Sequence, residues 1–111
     1  QMPQKYIQGH KNNQITQSDN FVKAISEADV IYMTGFAPKT PVGNFSDEER
    51  FNYQLNEKTL KKINPKAIIL CPLPRIDEIL TCVDAIPQAK YFEQSRLGLF
   101  MRMAIINQYI R

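Results

Sequence analysis

The run Cys71-Pro72-Leu73-Pro74-Arg75-Ile76-Asp77-Glu78-Ile79 gathers the residues best suited to chemistry. Proline fixes φ and offers no N–H, so two of them within three residues end the strand-like Lys66-Ala67-Ile68-Ile69-Leu70 before them. Each also drives the residue before it, Cys71 and Leu73, toward extended geometry. A stiff loop with free carbonyls results. Arg75, Asp77 and Glu78 place charge just past a strand's carboxyl end, where open α/β sheets put their ligands. Taken alone, a P-x-P of this kind is more often a plain strand-to-helix turn.

The elements that must position this loop alternate between helix and strand. Ser18-Asp19 supplies an N-cap for a short helix with Phe21, Val22, Ala24 and Ile25 on its apolar side. Ala28 to Met33 is a continuous apolar run, which predicts a buried strand that includes Val30–Met33, and Ile68–Leu70 predicts another. Between them, Gly35, Pro38, Pro41 and Gly43 break up any regular element. Ser46-Asp47-Glu48-Glu49 can cap a brief helix, with Phe51 and Tyr53 anchoring it to the core. Asn56 begins a further helix, Leu60 and Ile63 inward and Lys58, Lys61 and Lys62 outward, which Asn64-Pro65 ends. The expected fold is a single α/β domain over residues 1–111, with a mainly parallel sheet and helices on both faces. A last helix is expected over about 95–111. Leu99, Met103, Ile106 and Ile110 recur on it at helical spacing, and Phe100, Met101 and Ala104 widen the apolar surface.

Composition excludes several classes of function. The 111 residues suit one small domain. The net charge of +3 comes from interspersed Lys, Arg, Asp and Glu, so nothing points to nucleic acid. No apolar run approaches the ~20 residues of a membrane helix, and no signal-peptide pattern opens the chain. Cys71 and Cys82 form neither a disulfide framework nor a Cys-x-x-Cys unit, and read as reduced thiols. His10 is the single histidine, so no metal site or cofactor is expected. A first residue Gln1 suggests a fragment or a processed product.

The loop resembles the His-Pro-Leu-Pro-Arg-Val-Asp-Glu-Ile signature of aspartate carbamoyltransferases, in the aspartate/ornithine carbamoyltransferase family. Ala28-Asp29-Val30-Ile31-Tyr32-Met33-Thr34 resembles the strand leading to the family's aspartate-gripping loop. Val83-Asp84, Tyr91-Phe92-Glu93-Gln94 and Gly98-Leu99-Phe100-Met101-Arg102-Met103-Ala104 resemble the approach to its final helix, and Met2-Pro3-Gln4 has a counterpart too. The likeness covers nearly the whole chain, against the C-terminal third of such an enzyme. It implies transfer of a carbamoyl group from carbamoyl phosphate to L-aspartate in pyrimidine synthesis, in the cytoplasm or an organelle, by a homo-oligomer that is a trimer in the family. It further implies that the carbonyls of Pro72 and Leu73 orient the reacting groups, that Leu73–Pro74 is cis, and that Pro72, Leu73, Pro74, Arg75 and Gln94 bind substrate. The family's last helix crosses back to pack on a first domain. That domain carries the Ser-Thr-x-Thr-Arg motif for carbamoyl phosphate, which this sequence lacks.

Three positions depart from the family. Gly35 stands where an arginine grips an aspartate carboxylate, Ala37 where a glutamine belongs, and Cys71 where a histidine precedes Pro-Leu-Pro. Losing a charge-assisted contact of that kind costs about 1.5–3 kcal/mol of binding. A shifted loop could return Lys39 or Arg50 to the site. The departures keep open a non-catalytic structural module in a larger assembly, and a carbamoyltransferase for another amine acceptor. The isolated chain is expected to be inactive.

Overall fold

The computed structural model describes residues 15–36 and 46–110. Its centre is the strand β2 (Ile68–Leu70), whose Ile69 is wholly buried. The strand β1 (Val30–Tyr32) lies parallel to it, pairing Val30 with Ile68, Ile31 with Ile69 and Tyr32 with Leu70. On the opposite side, Ile69 N–H donates to the Gln88 carbonyl at 2.8 Å and Lys90 N–H donates to the Ile69 carbonyl at 2.9 Å. Ala89 thereby adds a one-residue third line. Parallel neighbours require a crossover. It contains the helices α2 (Asp47–Asn52) and α3 (Glu57–Leu60), while α1 (Phe21–Glu27) precedes β1.

Local chemistry explains why such short helices hold. Ser46 and Glu49 form a reciprocal capping box on α2, with Glu49 N–H on Ser46 Oγ at 3.2 Å and Ser46 N–H on Glu49 Oε2 at 2.7 Å. Asn56 caps α3 through Oδ1, which accepts from the N–H groups of Lys58 and Thr59. Its own N–H returns to Thr59 Oγ1 at 2.8 Å. A 3₁₀ helix (Thr81–Ala85) buries Val83, and α4 (Tyr91–Tyr109) closes the chain.

Several expectations need correction. The cap of α1 is Asn20, whose side chain accepts from Lys23 N–H; Ser18 Oγ instead accepts from Asn20 N–H. Of the apolar residues on α1 only Ile25 is buried, and Val22 is exposed. The 28–33 run is buried in alternation, with Ile31 and Met33 inside while Val30 and Tyr32 stand outside at 54% and 52% exposure. Helices on both faces are therefore not what the described residues show. The row Ile31 and Ile69 faces the core, and the opposite row, Val30, Tyr32 and Ile68, is open. Phe51 does not reach the core, whereas Tyr53 meets the ring of Phe21 in a tilted contact and donates to the Asp19 carbonyl at 3.0 Å. The last helix begins at Tyr91, four residues before the expected start, because Tyr91 itself is an anchor of the core.

The two neighbours in β2 should separate cleanly under mutation. In the 111-residue chain, Ile69→Ala is expected to cost about 2–5 kcal/mol through lost burial and a residual cavity. Ile68→Ala should cost under about 1 kcal/mol, since its side chain already meets solvent. Urea midpoints of both variants check this.

Candidate functional site

The loop that leaves β2 is held at Cys71, Leu73, Arg75 and Asp77. Gln94 on α4 turns its side-chain oxygen to the Cys71 N–H at 3.0 Å, fixing the point at which the chain leaves the sheet. Cys71 is buried, as a small apolar side chain at a strand end should be. Leu73–Pro74 is a cis bond, in line with the sequence expectation. Leu73 has φ 47, a left-handed backbone that L-residues other than asparagine and aspartate seldom adopt. Its side chain packs on the core, which keeps it there.

Arg75 supplies the second tie. Its guanidinium meets both oxygens of Asp84, with Nη2 on Oδ2 at 2.5 Å and Nη1 on Oδ1. Nη1 also donates to the Tyr91 hydroxyl at 3.0 Å, and that hydroxyl donates to Asp84 Oδ1. The guanidinium lies 5.5 Å from the ring of Tyr91 and 5.7 Å from that of Phe92. The fork is thus spent on one carboxylate and two rings. Hydrogen bonds from Arg75 hold the Asp84 carboxyl below the usual carboxylate range, and the bond to Asp84 in turn raises Arg75. Burial, then the hydrogen bond to Asp84, pushes the Tyr91 phenol up.

The far end of the loop is secured by acids. Asp77 pairs with Arg50 at 2.8 Å, and its carbonyl accepts from Gln54 Nε2 at 2.5 Å. Arg50 does return to the loop, although as a partner of Asp77. Glu78 is wholly buried; its Oε2 accepts from the N–H groups of Ile76 and Asp77, and its carbonyl accepts from Leu55 N–H at 2.9 Å. Lys39 and Ala37 lie outside the described residues, as do His10 and Met2-Pro3-Gln4. Gly35 is described and exposed at the end of β1.

What this leaves is a short arc of acceptors. The carbonyls of Pro72, Leu73 and Pro74 accept no hydrogen bond from the described residues. Pro72 and Pro74 are exposed, and Leu73 and Arg75 half-buried. Pro72, Leu73, Pro74, Arg75 and Gln94 are thus brought together, but only the loop carbonyls point to unfilled hydrogen-bonding capacity. Such an arc suits a ligand rich in N–H groups. Asp84, Tyr91 and Gln54 were not singled out as Arg75 or loop partners by spacing. A half-buried arginine next to two prolines demands a counter-ion, and Asp84, nine residues on, was the available signal. Among the described residues no group of three His, Cys, Asp or Glu could hold a metal ion, and no helix is long and apolar enough to cross a membrane.

Comparison with known proteins places these features in a context. The family model described as aspartate/ornithine carbamoyltransferase, Asp/Orn binding domain, matches residues 1–109. The aspartate carbamoyltransferase catalytic subunit of Alkaliphilus oremlandii is 41% identical over 97 residues, covering 86% of this chain and 29% of the relative. Aspartate carbamoyltransferase 2, chloroplastic, of Pisum sativum is 39% identical over 93 residues, covering 81% and 24%. Among solved structures, the catalytic subunit of M. jannaschii aspartate transcarbamoylase superposes with a TM-score of 0.82 at 33% identity, covering 97% of this chain and 36% of that one. The chain spans under a third of the length of these two curated relatives.

The Arg75–Asp84 tie predicts a particular acid response. Asp84 has a folded pKa below its unfolded value near ~3.9. Its contribution is therefore present above that value and is lost as pH falls through the folded pKa, because the unfolded chain takes the proton first. Asp84→Asn should cost about 1 kcal/mol at pH 7, a charge-assisted bond discounted for partial exposure. The gap between wild type and variant should narrow below about pH 4, as read from urea midpoints across pH.

Proposed function

The chain belongs to the aspartate/ornithine carbamoyltransferase family as its Asp/Orn-binding domain, and we propose that it forms the acceptor half of an aspartate carbamoyltransferase. In this reading the whole protein joins carbamoyl phosphate and L-aspartate into N-carbamoyl-L-aspartate and phosphate. The observation that carries it is the arc of open carbonyls at Pro72, Leu73 and Pro74, held at the carboxyl edge of β2. Carbonyl oxygens there accept from the carbamoyl NH₂ and from the aspartate amine. That orients the amine lone pair on the carbamoyl carbon, and the carbon–oxygen bond to phosphate breaks as the tetrahedral intermediate collapses, the departing phosphate taking the proton that the amine nitrogen loses. Positioning supplies the rate enhancement, with no covalent enzyme intermediate. Arg75 and Gln94 act on substrate chiefly by fixing this arc.

Phosphate must be met elsewhere, by a first domain with the Ser-Thr-x-Thr-Arg motif. Helix α4 supports such a partner, and in fact two. Leu97 and Met101 line an open groove of about 560 Å³ with Ile68 and Leu70, while Met103, Ile106 and Ile110 line a separate hollow. At 100° per residue these two sets fall on opposite sides of the helix. A helix apolar all round is a buried helix. We place further helices of the same domain over the open sheet row, giving the two-sided α/β sheet, and the first domain over the Met103–Ile110 side, within a homo-oligomer in the cytoplasm or an organelle.

Gly35 favours a second reading, in which the acceptor differs from aspartate because no side chain at that position can grip its second carboxylate. Steady-state kinetics of the full-length protein separate the two. Arg75→Ala is expected to raise the aspartate KM more than the carbamoyl phosphate KM, and Gln94→Ala to lower kcat by at least about tenfold, the scale for slight misplacement of reacting groups. Loss for neither substrate would mean that the arc Arg75 fixes does not act on them. The 111-residue chain alone should show no turnover and should self-associate; an active, stable monomer sinks the proposal.

A further inference from the structure

Helix α2 is docked in an unusual way. Of its six residues only Arg50 is buried, at 8% exposure, and the others face solvent. An apolar side chain is the usual anchor of a short helix, because desolvation of a buried charge pair offsets most of what its attraction supplies. Here a guanidinium takes that place. What it adds over an apolar residue is direction, since its planar fork can meet a carboxylate while its face lies against a ring.

Arg50 uses both capacities, and its two partners lie on different segments. Nη1 donates to Asp77 Oδ2 at 2.8 Å, in the loop that leaves β2. The guanidinium carbon lies 5.5 Å from the centroid of the Phe36 ring, on the segment that leaves β1. Thr34 and Gly35 are exposed, so Phe36 is the first side chain beyond Met33 that is even half-buried. Gln54, just beyond α2, donates to the Asp77 carbonyl as well. The carboxyl ends of two adjacent parallel strands are therefore tied to each other through one side chain. Ligands of open α/β sheets sit between such ends.

We propose that Arg50 is a positioning residue of the acceptor site, clamping the exit of β1 to the exit of β2 and so setting the width of the cleft between them. It acts on substrate only through Phe36 and Asp77. The inference rests on the functional reading above for what enters the cleft, while the clamp itself is a matter of geometry. On that reading the exit of β1 faces the acceptor, whereas phosphate is met by a first domain, so the effect falls chiefly on the acceptor. Gly35 offers no side chain to grip it, which makes the placement of this backbone count for more.

Steady-state kinetics of the full-length protein, read beside thermal unfolding, test this. Arg50→Met, which keeps the stem and removes both ties, should raise the aspartate KM at least about tenfold, the scale for slight misplacement of bound groups. The carbamoyl phosphate KM should stay nearly unchanged. Arg50→Lys, which restores the charge beside Asp77 without the planar fork, should recover the wild-type Tm but not the wild-type aspartate KM. That pattern separates positioning from packing, since a purely structural residue would lose and recover both together. If Arg50→Met does not fold, Arg50→Lys and Asp77→Asn decide; the latter is an isosteric change at a partly exposed side chain and should raise the aspartate KM alike. An aspartate KM that keeps its wild-type value, or moves no more than that of carbamoyl phosphate, overturns the proposal. Hydrogen exchange distinguishes that failure from failure of the functional reading. Should wild type turn over no aspartate, the functional reading falls, and the clamp stands only if peptides spanning residues 33–36 and 75–77 both exchange faster in the folded Arg50 variant. Faster exchange in one of them, or in neither, sinks it too.

Discussion

The Arg75 guanidinium, closed on Asp84 and braced by Tyr91, is the constraint on which the rest of the site depends. Without it the loop after β2 would be joined to the body only through its two ends and the packing of Leu73, since prolines donate no hydrogen bonds of their own. The tie works because its three members come from separate pieces of the fold: the loop, the 3₁₀ helix and the first turn of α4. Docking α4 at Tyr91 also places Gln94 one turn further on, where it reaches the Cys71 N–H. One buried aromatic therefore sets both ends of the arc of carbonyls between them.

Much of this was legible in the sequence, and for physical reasons. Proline punctuation located the loop, apolar runs located both strands, and Ser46 and Asn56 marked helix starts because their side chains can satisfy free N–H groups. Burial was harder to read. Val30 and Tyr32 looked internal because a continuous apolar run implies cover on both sides, and the described residues provide it on one. Asn20 displaced Ser18-Asp19 as a cap since several competent residues stood in a row, and local competition among caps cannot be settled by residue type. The role of Asp84 depended on a chain reversal that no local pattern encodes.

The open side of the sheet and the apolar circumference of α4 have a common origin. On the reading proposed above, both belong to surfaces that face other polypeptide. Monomers seldom expose contiguous apolar area on this scale. Leu97, Met101, Ile68 and Leu70 form one such surface, continuous across helix and strand. Met103, Ile106 and Ile110 form another on the far side of α4. On the reading proposed above, a helix covered on both sides lies between the bodies that cover it, and Gln94 on that helix holds the loop.

On the proposed reading, the distribution of charge explains why this chain amounts to half a site. The charged ties of the loop are matched within the described residues, Arg75 by Asp84 and Asp77 by Arg50, while Glu78 Oε2 accepts from two amides. What remains for a ligand is neutral, a set of carbonyls that can orient N–H groups but cannot compensate a phosphate or a carboxylate. Charges are used here to hold geometry, and geometry is what a reaction between an amine and a carbonyl most requires. On the reading proposed above, the anionic ends of carbamoyl phosphate and of the acceptor find their cations elsewhere, on a first domain or a neighbouring chain. On that reading, this division of labour makes the chain dependent on assembly for chemistry.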